Sequence, residues 1–297
     1  MRLDVVVVAY RSAEHLRACV APLCGDERIR VFVVDNLCPE SSPATVKDLR
    51  LTVVETGRNA GFGAGCNAGA RCGSAPAILF LNPDAQLAPE QALSLAESLA
   101  RDPALGAVGP RIVGADGSVH SSARRTPRLR SAFGEAMLVH RLVPRAQWAT
   151  ELIRDPGHGA EVEWLSGAAL CVRRTAFEQI GGFDERFFLY SEDTDICVRL
   201  RGAGYRVRFD AAVTAVHAGG QSAPAARQER TKMAARLLYA SIHESARRSA
   251  AFRAAYALHE AVRLPLAVLR SREHVRGRMD ALAVVLSPGQ RRARPPA

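Results

Sequence analysis

Four short apolar runs, "LDVVVVAY" (3 to 10), "RVFVVDN" (30 to 36), "LTVVET" (51 to 56) and "AILFLNPD" (77 to 84), constrain the fold more than any other feature of the chain. Runs of Val, Ile and Leu without polar alternation are strands buried on both faces, and such strands belong to parallel sheets. Helical patterns at 12 to 23, in the low 40s and at 60 to 72 fill the gaps between them. Strands alternating with helices predict a doubly wound α/β sheet, in which ligands bind beyond the carboxyl ends of the strands. Asp35, Asn36 and Asp84 fall at those ends.

From about Val108 the pattern changes. A hairpin is expected at "GADGSV" (114 to 119), followed by a basic loop, "ARRTPRLR" (123 to 130), and a stretch to about 160 whose lack of periodicity predicts a mobile loop or a short helical insert. "EVEWLSGAALCVRR" predicts a strand leading into a helix near Thr175. Next come a helix ended at Gly202 or Gly204, two strands and the Gly-rich "HAGGQS". Beyond Pro224 the spacing of Leu237, Leu238, Ile242, Leu258, Val262, Leu266 and Leu269 predicts amphipathic helices.

Charge separates this last part from the rest. Residues 1 to 222 carry 25 basic and 25 acidic side chains, whereas residues 223 to 297 carry 15 basic and 5 acidic. A basic block of this kind suits an anionic partner, a lipid surface or a nucleic acid. Its only aromatics are Tyr239, Phe252 and Tyr256, too few for single-strand base stacking, so no nucleic acid is expected. A solvated helical face or a homo-oligomer contact is the plainer alternative. No run of 18 apolar residues appears, and Asp4 interrupts what would be a signal peptide, so the expectation is a cytoplasmic chain that spans no membrane. The seven cysteines form no CxxC pair and no zinc spacing, which predicts buried, reduced thiols.

Several residues carry chemistry beside a bland reading. Asp84 in "LNPDA" ends a buried strand, where a carboxylate can hold a divalent metal against a diphosphate, although Asn-Pro-Asp is also good turn chemistry. Asp35 can accept hydrogen bonds from a base or ribose. "GRNAGFGAGCNAG" (57 to 69) has five glycines ahead of or within a helix, suited to close backbone approach to a ligand or simply to helix packing. His217 can be a metal ligand, a base or a surface residue. Glu192, Asp193 and Asp195 lie within four residues at a helix start that Ser191 alone could cap. One carboxyl beside another has a raised pKa, as a general base working near neutral pH requires.

Taken in order, "VVVAY", "VVDN", "RNAGFGAGCNAG", "LFLNPDA", "WLSGAALCVRR", "GGFDERFFLYSEDTDICVRLRGAGY" and "HAGGQS" resemble the family-two inverting glycosyltransferases of GT-A fold, in particular their rhamnosyltransferase-like branch, over roughly residues 3 to 222. The resemblance implies a GT-A α/β fold with a C-terminal helical extension. Residues 1–110 would form its nucleotide-sugar-binding half, 111–222 its acceptor-binding and catalytic half, and 223–297 the basic extension. It implies that Tyr10, Asp35 and Asn36 lie near the base, that Asn59, Gly61 and Phe62 flank the nucleotide-sugar, and that Asn82 and Asp84 occupy a DxD-type motif lacking its first acid. A divalent metal, Mg2+ or Mn2+, would sit on Asp84 and His217. Trp164, Ser166 and Gly167 would line the acceptor side. Asp193 would be the base beside Glu192, with Asp195 supporting the helix and its arginine neighbours. The implied reaction moves a sugar with inversion from a nucleotide-sugar donor, dTDP-L-rhamnose foremost, to a polyprenyl-linked saccharide at the inner face of the cell membrane. UDP-galactofuranose, UDP-glucose or UDP-N-acetylglucosamine as donor, or a catalytically silent relative, are the alternatives.

Overall fold

The computed structural model describes residues 2–38, 40, 42–143, 145–153, 156–218, 225–269 and 271–287. In chain order the elements are β1 (Leu3–Ala9), α1 (Ala13–Cys24), β2 (Ile29–Asp35), β3 (Thr52–Glu55), α2 (Phe62–Arg71), β4 (Ala77–Leu81), β5 (Ala85–Gln86), α3 (Pro89–Arg101), β6 (Leu105–Val113), β7 (Val119–His120) and β8 (Ala123–Arg124). They continue with α4 (Leu129–Ala136), α5 (Val139–Leu142), β9 (Trp164–Leu165), β10 (Ala169–Arg173), α6 (Arg174–Gln179), α7 (Glu192–Gly202), β11 (Arg206–His217), α8 (Ala225–His243), α9 (Ala246–Val268) and α10 (Arg272–Leu286). Two compact units emerge: Met1–Arg124, Arg154–Glu185 and Glu192–Ser222 form one; Arg125–Ile153, Arg186–Ser191 and Ala223–Ala297 form the other.

The first unit holds the sheet, ordered β3-β2-β1-β4-β10-β6-β11-β5, with β7 paired to β6. Every residue of β1 and β4 is buried, as strands covered on both faces must be. β1 to β4 are mutually parallel, β10 runs antiparallel between β4 and β6, and β11 is parallel to β6. The chain steps outward from β1 to β3 and resumes with β4 on the other side of β1, so the topological switch lies between β1 and β4. Because β10 is reversed, its amino end shares an edge with the carboxyl ends of β1, β2 and β4, with Ala169 opposite Leu81.

The glycines of the 57 to 69 stretch divide between two uses. A Cβ on Gly65 would come within 2.8 Å of Val8, and one on Gly69 within 2.5 Å of Val6, so these two let α2 lie close on the sheet. Gly61, at φ 95°, makes the turn into α2.

Some local expectations need correction. The low 40s form only a five-residue 3-10 turn, Ser42–Val46, with Pro43 at its start. In place of two strands before His217 there is one twelve-residue strand, with a register shift between Asp210 and Thr214. The 120 to 160 stretch, by contrast, takes one of its two expected forms, a short helical insert of α4, α5 and a 3-10 turn at Gln147–Ala149. The expected division at 110/111 falls inside β6, whose sheet includes strands from both sides. Five of the seven free cysteines are buried, but Cys38 is half-buried and Cys72 exposed.

In the second unit, α4 packs with the C-terminal helices around Ala132, Met233, Phe252, Tyr256 and Val285. Ser245 and Ser271 cap α9 and α10 by accepting from the Arg248 and His274 backbone N–H groups, which is why the helices break where they do. Glu260, almost fully buried, is compensated by Arg278 at 3.0 Å and by His259. Among the described residues no helix is long and apolar enough to cross a membrane.

Candidate active site

The strand ends of the first unit gather the expected residues into three groups. In the first, buried Asn36 donates from Nδ2 to Asn59 Oδ1 (3.0 Å) and to the Gly61 carbonyl (3.3 Å), and its Oδ1 accepts from Ala60 N–H (3.1 Å). Asn59 Oδ1 also accepts from Gly61 N–H. Both side chains therefore hold the loop ahead of α2. Asp35 ends β2 half-buried, its Oδ1 accepting from Cys38 N–H at 2.8 Å. Tyr10 follows β1 one strand away, with Asn36 N–H donating to the Ala9 carbonyl and the Arg11 guanidinium 5.7 Å from the Tyr10 ring.

The second group joins residues far apart in the chain. β5 pairs with the end of β11, placing His217 opposite Ala85, and Ala218 N–H donates to the Asp84 carbonyl. This brings His217 Nε2 to 3.1 Å from Asp84 Oδ1 and 3.3 Å from Asn82 Nδ2. Burial alone would raise the Asp84 carboxyl, but the hydrogen bond and charge of His217 prevail and hold it below its ordinary value. A carboxylate and an imidazole side by side are donor types that a divalent cation can take. Among the described residues no group of three or more His, Cys, Asp or Glu side chains gathers, so the protein would supply only part of a coordination shell. Gly219 to Ser222 of the "HAGGQS" motif lie outside the described residues.

The third group surrounds the acids that open α7. Asn82 N–H donates to the Ala168 carbonyl, tying the β4 end to the turn before β10. In that turn Gly167 N–H donates to Asp193 Oδ2 at 3.0 Å, while Asp193 Oδ1 accepts from Thr194 N–H at 2.8 Å. A Cβ on Gly167 would lie 3.4 Å from the Asp193 Cβ and 3.7 Å from the Phe62 ring, so Phe62, Gly167 and Asp193 are neighbours. Ser166 N–H donates to the Ser122 carbonyl, and its Oγ accepts from Ala168 N–H. Trp164 is buried in β9.

The three acids have different environments. Asp195, fully buried, pairs with Arg199 at 2.6 Å and is structural, as expected. Glu192 is only 5% exposed and, among the described residues, its Oε2 has no hydrogen-bond partner. Burial first, and then the Asp193 charge, push the Glu192 carboxyl well above the ordinary carboxylate range. Burial raises Asp193 too, but the Gly167 and Thr194 N–H groups and the Arg124 charge pull the other way. Both carboxyls are raised, Glu192 the further, and the two N–H donors on Asp193 make it the better seat for the negative charge of the pair. Ser191 does not take a cap's extended conformation: it and Tyr190 have φ of 64° and 71°, costing roughly 1–3 kcal/mol each.

Two residues here were not singled out by sequence. Arg124 lies 5.2 Å over the Trp164 ring, placed there by the β8–β9 pairing of Arg124 with Trp164. Asn67, buried on α2, exchanges hydrogen bonds with both backbone groups of Phe183 and donates to Glu185, anchoring the loop that precedes the acids. The asparagines of "GRNAGFGAGCNAG" were visible, but only the fold separates Asn67 from Asn59.

Residues 4–154 match the family described as glycosyl transferase family 2, just over half of the chain. The chain belongs to this family. Residues 154–217 also match a domain described as the N-terminal domain of galactosyltransferase. An N-acetylglucosaminyl-diphospho-decaprenol L-rhamnosyltransferase of Mycobacterium tuberculosis is 36% identical over 220 residues, 68% of this chain and 71% of the relative. The low-salt glycan biosynthesis hexosyltransferase Agl10 of Haloferax volcanii is 24% identical over 220 residues, 72% of this chain and 66% of the relative. Among solved structures, a Pyrobaculum calidifontis mannosyltransferase in complex with GDP-Man and Mn2+ aligns at TM-score 0.58 and 17% identity, over 95% of this chain and 85% of that one. A TarS fragment from S. aureus aligns at 0.52 and 14%, over 96% and 89%. At such identities the structures speak for the fold, which is GT-A; this family-two chain is a glycosyltransferase.

Proposed function

We propose that the enzyme transfers L-rhamnose from dTDP-L-rhamnose, with inversion, to a lipid-linked saccharide in cell-wall or surface-polysaccharide assembly. The observation that carries the reaction class is the asymmetry of the acid pair, a buried Glu192 whose Oε2 has no hydrogen-bond partner among the described residues beside an Asp193 that accepts from two backbone N–H groups, with the Arg124 charge favouring its anion. Asp193 takes the proton of the acceptor hydroxyl. The acceptor oxygen then bonds to the anomeric carbon as the opposite carbon–oxygen bond breaks and the nucleoside diphosphate leaves with the electron pair. No covalent enzyme intermediate forms. Glu192 keeps the pair at one negative charge and the base near the acceptor. Trp164, Ser166 and Gly167 form the acceptor wall. Asp35, with Tyr10 beside it, receives the nucleoside, and the loop fixed by Asn36, Asn59 and Gly61 leads to Phe62 beside the sugar.

Asp84 and His217, with Asn82, would hold Mg2+ or Mn2+, which supplies positive charge for the departing diphosphate. The donor and the polyprenyl diphosphate acceptor rest on the 36% identity to the mycobacterial rhamnosyltransferase. Attachment to the inner membrane face is supported by the basic residues 223 to 297 and by exposed Leu266, Val268, Leu269 and Leu286 in the same segment.

Nucleotide release from a panel of donors, with Mg2+, Mn2+ or EDTA and a polyprenyl-diphosphate N-acetylglucosamine acceptor, tests the reading. Release from dTDP-rhamnose that needs acceptor and metal and collapses in Asp193→Asn is expected. Preference for a UDP-sugar, which the match of residues 154–217 to a galactosyltransferase domain makes the natural control, would replace the donor.

A further inference from the structure

Apart from Arg124, the basic loop singled out by sequence is not used by the chemistry above, yet it lines a cavity. Within the second unit a recess of about 220 Å³ is bounded by Arg125, Thr126, Arg128, Arg130, Ser131 and Trp148 among others, and among the described residues its lining includes no carboxylate. That volume is below the ~300–1,000 Å³ of clefts that enclose a drug-sized ligand, and suits one polar group of a larger molecule. The three guanidinium groups of Arg125, Arg128 and Arg130 make the wall a donor surface, and arginine is the side chain that grips phosphate oxygens in pairs.

The wall is also held in place. Arg125 donates to the Leu152 carbonyl (3.3 Å) and to Gln147 Oε1 (3.1 Å), and its own N–H donates to the Glu151 carbonyl (2.8 Å). Ser131 Oγ accepts from Arg128 N–H and donates to the Arg128 carbonyl, setting the start of α4. The acids of this segment, Glu135 and Glu151, exert their charge on Arg236 of α8. Trp148 is 52% exposed, and Met137, Leu142 and Val143 on the same segment are exposed as well, so the cationic recess belongs to a stretch with unusual apolar exposure. An aromatic with one wet and one apolar side is the type enriched at membrane interfaces.

We infer that this recess binds the diphosphate of a diphosphate ester carried on an apolar chain, with Arg128 and Arg130 supplying charge and Trp148 the apolar wall. Equating the ester with the lipid-linked acceptor rests on the function proposed above; the diphosphate site itself does not. Calorimetric titration of the full-length protein with inorganic pyrophosphate, at fixed salt and without donor, tests the site directly. Arg128→Gln/Arg130→Gln should weaken binding about tenfold or more, as expected when charge-assisted hydrogen bonds are lost, while melting temperature and dTDP binding are retained. Trp148→Ala should leave pyrophosphate binding intact but raise the KM of a polyprenyl-diphosphate acceptor and not that of a short acceptor lacking diphosphate and lipid. Absence of pyrophosphate binding in the wild type, or equal affinity in the double variant, overturns the inference. A defect confined to phosphatidylglycerol vesicles also overturns it and assigns the arginines to the membrane surface. Normal pyrophosphate binding without transfer from dTDP-rhamnose leaves the site standing and removes the rhamnosyl reading.

Discussion

Among the carboxylates buried in the sheet unit, those that serve the fold and the pair at the start of α7 are treated in opposite ways. At the amino end of β1, Asp4 is fully buried, yet Arg30 and Arg174 each lie 2.8 Å away and Ala75 N–H donates to it at 2.7 Å. Asp195 on α7 is likewise covered by Arg199. Three residues earlier, Glu192 is buried with an oxygen that no described residue satisfies, and its neighbour Asp193 has backbone N–H groups in place of an arginine contact. A buried acid serving the fold receives a cation, because an uncompensated charge there costs several kcal/mol. An acid left to carry its proton, next to one left to accept another, is a chemical arrangement and costs stability. The contrast separates two functions among side chains that look alike in "SEDTDICVRL".

The largest expected effect comes from removing the base. Asp193→Asn should lower kcat by about 10²–10⁴-fold, with donor binding by calorimetry unchanged. If activity persists, the two regions do not differ in the way argued. Next comes the structural side: Arg199→Ala, which strips Asp195 of its cation and leaves the Ile180 and Gly182 carbonyls without their donor, should cost about 3–5 kcal/mol in urea unfolding. Glu192→Gln should do the reverse and stabilise by about 0.5–2 kcal/mol at neutral pH. The sign follows from proton linkage. A folded-state carboxyl raised above its unfolded value binds more protons than the unfolded chain, so stability falls as pH rises above the unfolded value and towards the raised one. The glutamine variant should lose that slope, and a retained slope would place the proton elsewhere. The smallest effect is Arg124→Gln. Because the Arg124 charge favours the Asp193 anion, its removal should shift the acid limb of kcat/KM to higher pH, with modest loss at the optimum.

The sheet was legible because its strands are continuous apolar runs with no alternative use, and the acid pair was legible because three acids in four residues exceed what a helix start needs. Other features depend on contacts that no local pattern encodes. β5 is two residues long, yet it brings Asp84 to His217 across more than 130 positions of chain. Arg124 is one of four arginines in "ARRTPRLR", and only its pairing with Trp164 marks it. The glycine stretch could be read as a ligand loop or as helix packing, and sequence could not divide it; Gly65 and Gly69 prove to be seats for Val8 and Val6, and Gly61 alone among these three makes the turn. The low 40s failed as a helix for want of length, since five residues beginning Ser-Pro can close a 3-10 turn but not an α-helix.

The path of the chain between its two units has a practical consequence for anyone rearranging the enzyme. The helices after residue 223 share their apolar core with Ala132 of α4, which precedes them by some ninety positions. Cutting at Ser222 would therefore release no self-contained tail and would leave the buried side of α4 facing solvent. Grafting the C-terminal segment of a relative onto this chain would fail for the same reason unless residues 125–153 and 186–191 travelled with it. New pairings of catalytic unit and helical unit must arise by substitution within a connected chain, because no single junction exists at which one can be exchanged.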